Sequence, residues 1–75
     1  MDIKLVEQQI YFVFEWHEKY YRVSFERTQK DADWAVRLID VSRNESVYSR
    51  VLEAIVVPDL QLAEEITKMY LYRDF

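Results

Sequence analysis

The chain has 75 residues, of which 51% are hydrophobic, 16% aromatic and 32% charged, and it contains no Gly, no Cys, one Pro and one His. Its ten Lys and Arg residues are outnumbered by fourteen Asp and Glu, for a formal net charge of -4. These counts exclude glycine-rich phosphate loops, disulfide scaffolds, thiolate chemistry and multi-histidine metal clusters, and they leave one small domain spanning residues 1–75.

The first predicted structure is a β-hairpin formed by residues 10–16 and 20–26. Large apolar side chains occupy the even positions of the first run and positions 21, 23 and 25 of the second, which is the two-residue period of a strand. Ile3 and Leu5 follow the opposite phase, so we expect a bulge or a break near Gln8-Gln9.

The register of this hairpin is predicted by matching side chains across the two strands. The favoured register makes three apolar pairs and one charged pair, namely Trp16–Tyr21, Phe14–Val23, Phe12–Phe25 and, on the other face, Glu15–Arg22. A slip of one residue would move every side chain to the wrong face. The predicted loop is therefore Glu18-Lys19, or residues 17–20, without the Gly that tight hairpins favour.

A third and a fourth strand are predicted to follow. Residues 34–41 are apolar on both faces, which suits a central strand. In the turn at residues 42–46, Asn44 is best suited to a left-handed conformation. Residues 47–57 are ambiguous, because Ser42-x-x-Glu45 resembles a helix capping box while the segment itself is rich in β-branched residues. We favour a strand.

The last predicted element is a C-terminal helix. It begins at Pro58, as a first-turn proline, or at Asp59, as an N-cap. Glu64 and Lys68 are spaced as an i,i+4 ion pair on its polar face. Its predicted apolar stripe consists of Leu62, Ile66, Met69 and Tyr70. The order β-β-β-β-α predicts an α+β fold, in which a small antiparallel sheet of three to four strands carries the C-terminal helix on one face.

No pattern in the sequence predicts a catalytic or metal site. His17 lies in the predicted hairpin turn, which is open to water. The carboxylate pairs Asp31-x-Asp33 and Glu64-Glu65 lack the further ligands and the Gly of a calcium loop. We therefore expect no catalytic residue, no metal and no cofactor, and we expect that the protein is not an enzyme.

Surplus aromatic side chains are the most informative feature for function. Six Tyr, four Phe and two Trp are many for so small a core, and aromatic side chains left on a surface commonly mark a partner site. The candidate partner-binding residues are Tyr11, Tyr20 and Arg22 on the polar face of the first hairpin, and Tyr70, Tyr72 and Phe75 at the end of the helix. Because one helix face can bury only about half of the C-terminal side chains, we expect Leu71, Tyr72 and Phe75 to be exposed.

The expected function is that of a small non-enzymatic module that binds another protein through an aromatic and acidic surface. The excess of carboxylates favours a partner with a basic surface, and a homodimer is the other option. Size alone suggests a regulatory role such as an inhibitor, an antitoxin, an immunity protein or a phage-type modulator.

The alternative is a sheet that binds single-stranded nucleic acid, with Tyr11, Tyr20 and Arg22 stacking on bases. The net negative charge disfavours this alternative, because binding to phosphates needs a positive field. No apolar run reaches the length of a membrane span and no signal peptide is evident, so we expect a cytoplasmic protein without a membrane partner.

Overall fold

The computed structural model describes residues 2–73, which form a four-stranded antiparallel sheet followed by one helix. The elements are β1 (Gln8–Trp16), β2 (Lys19–Arg27), β3 (Trp34–Asp40), β4 (Glu45–Leu52) and α1 (Leu60–Leu71). The strands lie in the sheet in chain order, so β2 and β3 are central and β1 and β4 are edges. This confirms the predicted α+β fold. No helix among residues 2–73 is long and apolar enough to cross a membrane.

The first hairpin has the predicted faces but a different register. Trp16 pairs with Lys19 and Phe14 with Tyr21, so the loop is His17-Glu18. Both loop residues have positive φ, 51° and 65°, as in the type I′ turn whose twist matches that of the flanking strands. The predicted register was wrong because side-chain matching ignored this turn geometry. A shift of two residues keeps each side chain on the same face, so the error did not affect the alternation.

The corrected register changes which residues are neighbours across the hairpin. Arg22 lies opposite Val13, and Glu15 lies opposite Tyr20, so the predicted Glu15–Arg22 pair does not form across the strands. Upstream, β1 begins at Gln8 and residues 2–7 adopt no regular structure, which is the break that the change of phase predicted.

The β3–β4 hairpin follows the prediction closely. Asn44 has a φ of 50° in the turn, as expected for its short polar side chain. Leu38 pairs with Tyr48 and Ile39 with Ser46, so Val47 is an extra residue that forms a bulge. The predicted strand over residues 47–57 is confirmed as far as Leu52, where β4 ends.

The hydrophobic core lies between α1 and one face of the sheet, which we call the helix face. Its buried side chains are Tyr21, Val23, Phe25, Trp34, Val36, Leu38, Ala63 and Ile66. The helix packs mainly against β2, and the even-numbered side chains of β1 are only half-buried at the margin of the core. After β4, Trp34 Nε1 donates a hydrogen bond of 3.0 Å to the Val56 carbonyl and fixes the connection to α1.

The predicted apolar stripe of α1 is confirmed for three of its four residues, because Ile66 is buried and Leu62 and Tyr70 are partly buried against the core. Ala63, Ile66 and Thr67 are buried, while Met69 is half exposed. Ala63, Ile66, Thr67 and Tyr70 follow the i, i+3, i+4, i+7 spacing of a single face, and small Ala63 lets the helix approach the sheet. Met69 was wrongly included in the stripe, and Ala63 and Thr67 were missed because a search for large apolar residues passes over Ala and Thr. The predicted pair between Lys68 and Glu64 is present at 3.7 Å on the outer face.

Asp59 is the N-cap of α1, and Pro58 precedes it. The Asp59 carboxylate accepts a hydrogen bond of 2.8 Å from the backbone N–H of Leu62. We expect Asp59→Ala to lower the free energy of unfolding by about 1 kcal/mol, because a helix N–H then loses its acceptor. Asp59→Asn should keep most of the stability in the same urea titration. Equal stability of the alanine variant and the parent chain would contradict this assignment.

Candidate functional site

The sheet face turned away from α1, which we call the open face, has a polar cluster at one end, flanked by the apolar residues Ala35 and Val51. Gln9 Nε2 donates to Ser24 Oγ at 2.9 Å and to Glu26 Oε1 at 3.0 Å. Arg37 forms an ion pair with Glu26 at 2.8 Å. Such a surface is typical of an antiparallel sheet with one solvated face, because its polar side chains are paired with one another or hydrated.

The other half of the open face, next to the first turn, is aromatic and apolar. We call it the hairpin patch, and it consists of Tyr11, Val13, Tyr20, Arg22 and Val41. Tyr11, Val13 and Tyr20 are 56%, 52% and 49% exposed. The Val41 N–H donates to the Tyr20 carbonyl at 3.0 Å, which holds Val41 beside Tyr20 at the end of the sheet. The structure therefore brings together three of the predicted partner-binding residues, Tyr11, Tyr20 and Arg22.

Arg22 lies at the centre of the hairpin patch. It is opposite Val13 on one side and the buried Ile39 on the other, and its guanidinium carbon is 5.8 Å from the centre of the Tyr11 ring. Its Nε atom is buried and has no hydrogen-bond partner among residues 2–73. A buried unpaired N–H costs about 1–3 kcal/mol. An acceptor from a bound molecule, with a small rotation of the side chain, would remove this cost.

The predicted residues at the end of the helix are separated from the hairpin patch by the thickness of the sheet. Tyr70 packs on the core, with its ring 6.4 Å from that of Tyr21, and is half-buried. Tyr72 is about half exposed and lies edge-on to Trp16 at 6.4 Å. Phe75 lies outside the described residues. The candidates thus form two groups on opposite sides of the sheet.

The position of Leu71 differs from the expectation for the C-terminal segment. It was expected to be exposed, but it is half-buried and packs on the core cluster. With Phe14, Trp16 and Tyr72, it lines an apolar cleft of about 120 Å³ between β1 and α1. Ligand sites usually measure roughly 300–1,000 Å³, so this cleft is too small for a typical small molecule.

The acidic side chains of α1 do not adjoin the hairpin patch. Glu64 is paired with Lys68 and lines the cleft between α1 and β1. Glu65 accepts a hydrogen bond of 3.4 Å from Gln61 and lies on the flank of α1 near Arg50 of β4. Both carboxylates are therefore on the helix side of the sheet, whereas the hairpin patch is on the open face.

The remaining titratable residues have structural surroundings. The Asp33 carboxylate accepts a hydrogen bond of 3.0 Å from the Ala54 N–H and ties two loops together. Burial, and secondarily the neighbouring Asp40, raise the pKa of the Tyr21 hydroxyl, which keeps it neutral in the core. His17 is exposed in the first turn, with its ring 4.2 Å from that of Trp16. Residues 2–73 contain no group of three or more acidic or His side chains placed to share a metal ion.

Two members of the hairpin patch, Val13 and Val41, were not identified from the sequence. Val13 could have been found, because it is an apolar residue at an odd position of a strand whose even positions form the core. Val41 could not, because its place beside Tyr20 depends on the pairing of β2 with β3.

Comparison with known proteins gives no match to a family model, to a curated protein or to a solved structure.

Proposed function

We propose that this chain is a non-enzymatic module that binds another protein through the hairpin patch. The supporting observation is the contrast between the two halves of the open face. One half has a hydrogen-bonded polar cluster and a single large exposed apolar side chain, Val51, whereas the other groups two exposed Tyr and two exposed Val side chains around an Arg. Tyr and Arg are enriched in interface cores and among the residues that dominate binding energy.

The chemistry of the patch indicates what a partner would supply. Tyr11 and Tyr20 offer large apolar rings with few rotatable bonds, so ordering them on binding costs little entropy. Arg22 needs a hydrogen-bond acceptor for its buried Nε. We therefore propose a partner that covers the two rings with apolar side chains and presents a carboxylate or carbonyl oxygen to Arg22.

The net charge of -4 contributes to the rate of association in this proposal. The carboxylates of α1 lie on the other side of the sheet from the patch, so their role in this proposal is to attract a basic partner over distance. The small size is the support for a regulatory role in the cytoplasm, as an inhibitor, antitoxin, immunity protein or phage-type modulator. A second copy of the chain is the other protein partner that we propose.

Capture of a cellular partner tests the hairpin patch. We expect the immobilised chain to retain a specific protein and the double variant Tyr11→Ser, Tyr20→Ser to bind it at least about tenfold more weakly, since each lost anchor costs about 1–2 kcal/mol. Tyr72→Ser is the matched control, because it removes a Tyr of similar exposure on the other side of the sheet. Binding that depends on Tyr72 and not on the double variant would contradict the proposal.

Single-stranded nucleic acid is the second candidate ligand, because Tyr11 and Tyr20 lie on either side of Arg22 on an open sheet. Stacking on exposed rings is worth roughly 1–3 kcal/mol per base. Against it, Glu15 lies directly opposite Tyr20 and would repel phosphates. Fluorescence anisotropy with a labelled oligothymidylate and a single-stranded RNA at low salt separates the candidates. Saturable binding that weakens with salt and is lost in the double variant would favour nucleic acid.

A further inference from the structure

The two edge strands of the sheet differ in their protection against pairing with another strand. β4 is interrupted by the bulge at Val47 and carries Glu45 and Arg50. β1 has nine residues in unbroken register, no Pro and no Lys, and Glu15 is its single charged residue. Natural edge strands usually have bulges, Lys, Pro or a short length, because the unpaired backbone groups of an exposed strand can bond to another chain. By these criteria β4 is protected and β1 is not.

The backbone of β1 offers hydrogen-bonding groups along its outer edge. The Val41 N–H bonds to the Tyr20 carbonyl, so Tyr20 faces β3, and Tyr21 therefore faces β1. By the same alternation, the even-numbered residues of β1, from Gln8 to Trp16, form their backbone hydrogen bonds inward with β2. The outward-facing N–H and C=O groups belong to the alternate residues Gln9, Tyr11, Val13 and Glu15.

The segment before β1 does not cover this edge. Ile3, Lys4 and Leu5 lie against residues 29–31 in the loop between β2 and β3. On the helix face, Ile10, Phe12, Phe14 and Trp16 are half-buried, because α1 packs mainly against β2. An additional strand beside β1 would cover the flank of this apolar row as well as bond its backbone.

We propose that β1 pairs antiparallel with β1 of a second copy of the chain, so that two sheets join into one. Full overlap of the strands places Phe12 opposite Phe12 of the second copy and Tyr11 opposite Val13. Glu15 then faces the uncharged Gln9, so no like charges are opposed. A slide of two residues towards the N-terminus would instead set Glu15 against Glu7 and leave fewer residues paired.

The proposed pairing of two β1 strands does not depend on the proposed function of the hairpin patch. A two-fold axis through Phe12 gives each pair twice, as a symmetric dimer contact requires. The Tyr11 and Val13 side chains stay on the open face, so the two hairpin patches adjoin. Failure of the patch to bind a cellular protein would leave this dimer unaffected, and a monomeric chain would leave the patch intact.

Matched proline substitutions test the dimer. Val13 and Val51 are valines on the open face of opposite edge strands, and both have N–H groups that point away from the sheet by the pairing alternation. Pro at either position removes an outward donor without breaking a bond within the sheet. By sedimentation velocity at micromolar concentration, the parent chain and Val51→Pro should have twice the 9.2 kDa mass. Val13→Pro should associate at least about tenfold more weakly, since the symmetric contact loses two hydrogen bonds.

Cysteine cross-linking gives a second measurement that tolerates a poorly folded proline variant. The parent chain has no Cys, so any disulfide reports the introduced residues. In the proposed register, a mixture of Tyr11→Cys and Val13→Cys chains should form a disulfide-linked heterodimer. Either variant alone should not, because identical positions lie more than about 7 Å apart. A monomeric parent, equal association of both proline variants, or a mixture that cross-links no better than its components would overturn the proposal.

Discussion

Truncation of Phe25 to alanine is expected to lower the free energy of unfolding by about 3–5 kcal/mol. Phe25 has no exposed surface and lies on the central strand β2, between Ile10 of β1 and Val36 of β3. Its removal leaves a cavity that the strands on both sides cannot fill, because their hydrogen bonds hold them at a fixed spacing. The loss therefore includes the cavity as well as the transfer of the ring from water.

This loss is large relative to the stability of a chain of this size. Small domains have about 5–15 kcal/mol in total, and 75 residues favour the lower end of that range. Phe25→Ala should therefore keep only about 0–2 kcal/mol of stability, so that the variant is marginally stable and partly unfolded at room temperature. The control is Phe14→Ala on β1, where the ring is half-buried at the margin of the core and should cost less than half as much. Urea unfolding followed by circular dichroism measures both, and equal losses would contradict the assigned core.

The double variant His17→Asn, Glu18→Gly is expected to raise the free energy of unfolding by about 1–2 kcal/mol. Both loop residues have the left-handed backbone conformation, which is unfavourable for most side chains by roughly 1–2 kcal/mol. Asn-Gly is the preferred pair for this turn type. The greater freedom of Gly in the unfolded chain offsets part of the gain.

Asn44→Gly provides the comparison for this prediction. Asn44 also has a positive φ, but its short polar side chain already tolerates that conformation. Gly at this position should change stability by only a few tenths of a kcal/mol. Chemical denaturation of the three chains tests the contrast. Destabilisation by the Asn-Gly pair would show that His17 and Glu18 do not both have a positive φ in this turn.

In the first hairpin, the sequence predicted the faces of the two strands but not their register. Alternation correctly predicted which residues of β1 and β2 face the core, because that depends only on the two-residue period. The register depended on the geometry of a two-residue turn in which neither His17 nor Glu18 is a typical residue. Side-chain matching could not reveal it, since registers that differ by two residues place the same side chains on the same face.

The candidate site was likewise predicted only in part from the sequence. Tyr11, Tyr20 and Arg22 were placed together on one face by alternation, and the structure places them there. The cation–π contact of Arg22 with Tyr11 depends on the corrected register. The separation of the acidic surface of α1 from the hairpin patch depends on which sheet face the helix covers, and no local pattern encodes that choice.

The sequence by itself determined the order of elements, the inward faces of the strands and the Asn44 turn, and it limited the helix start to Pro58 or Asp59, because each depends on residues close together in the chain. Tertiary structure alone decided that β1 is an unprotected edge, that small Ala63 and Thr67 join Ile66 on the buried helix face, and that Val41 belongs to the hairpin patch. These features result from contacts between residues far apart in sequence, whose energies compete only once the sheet and the helix have come together.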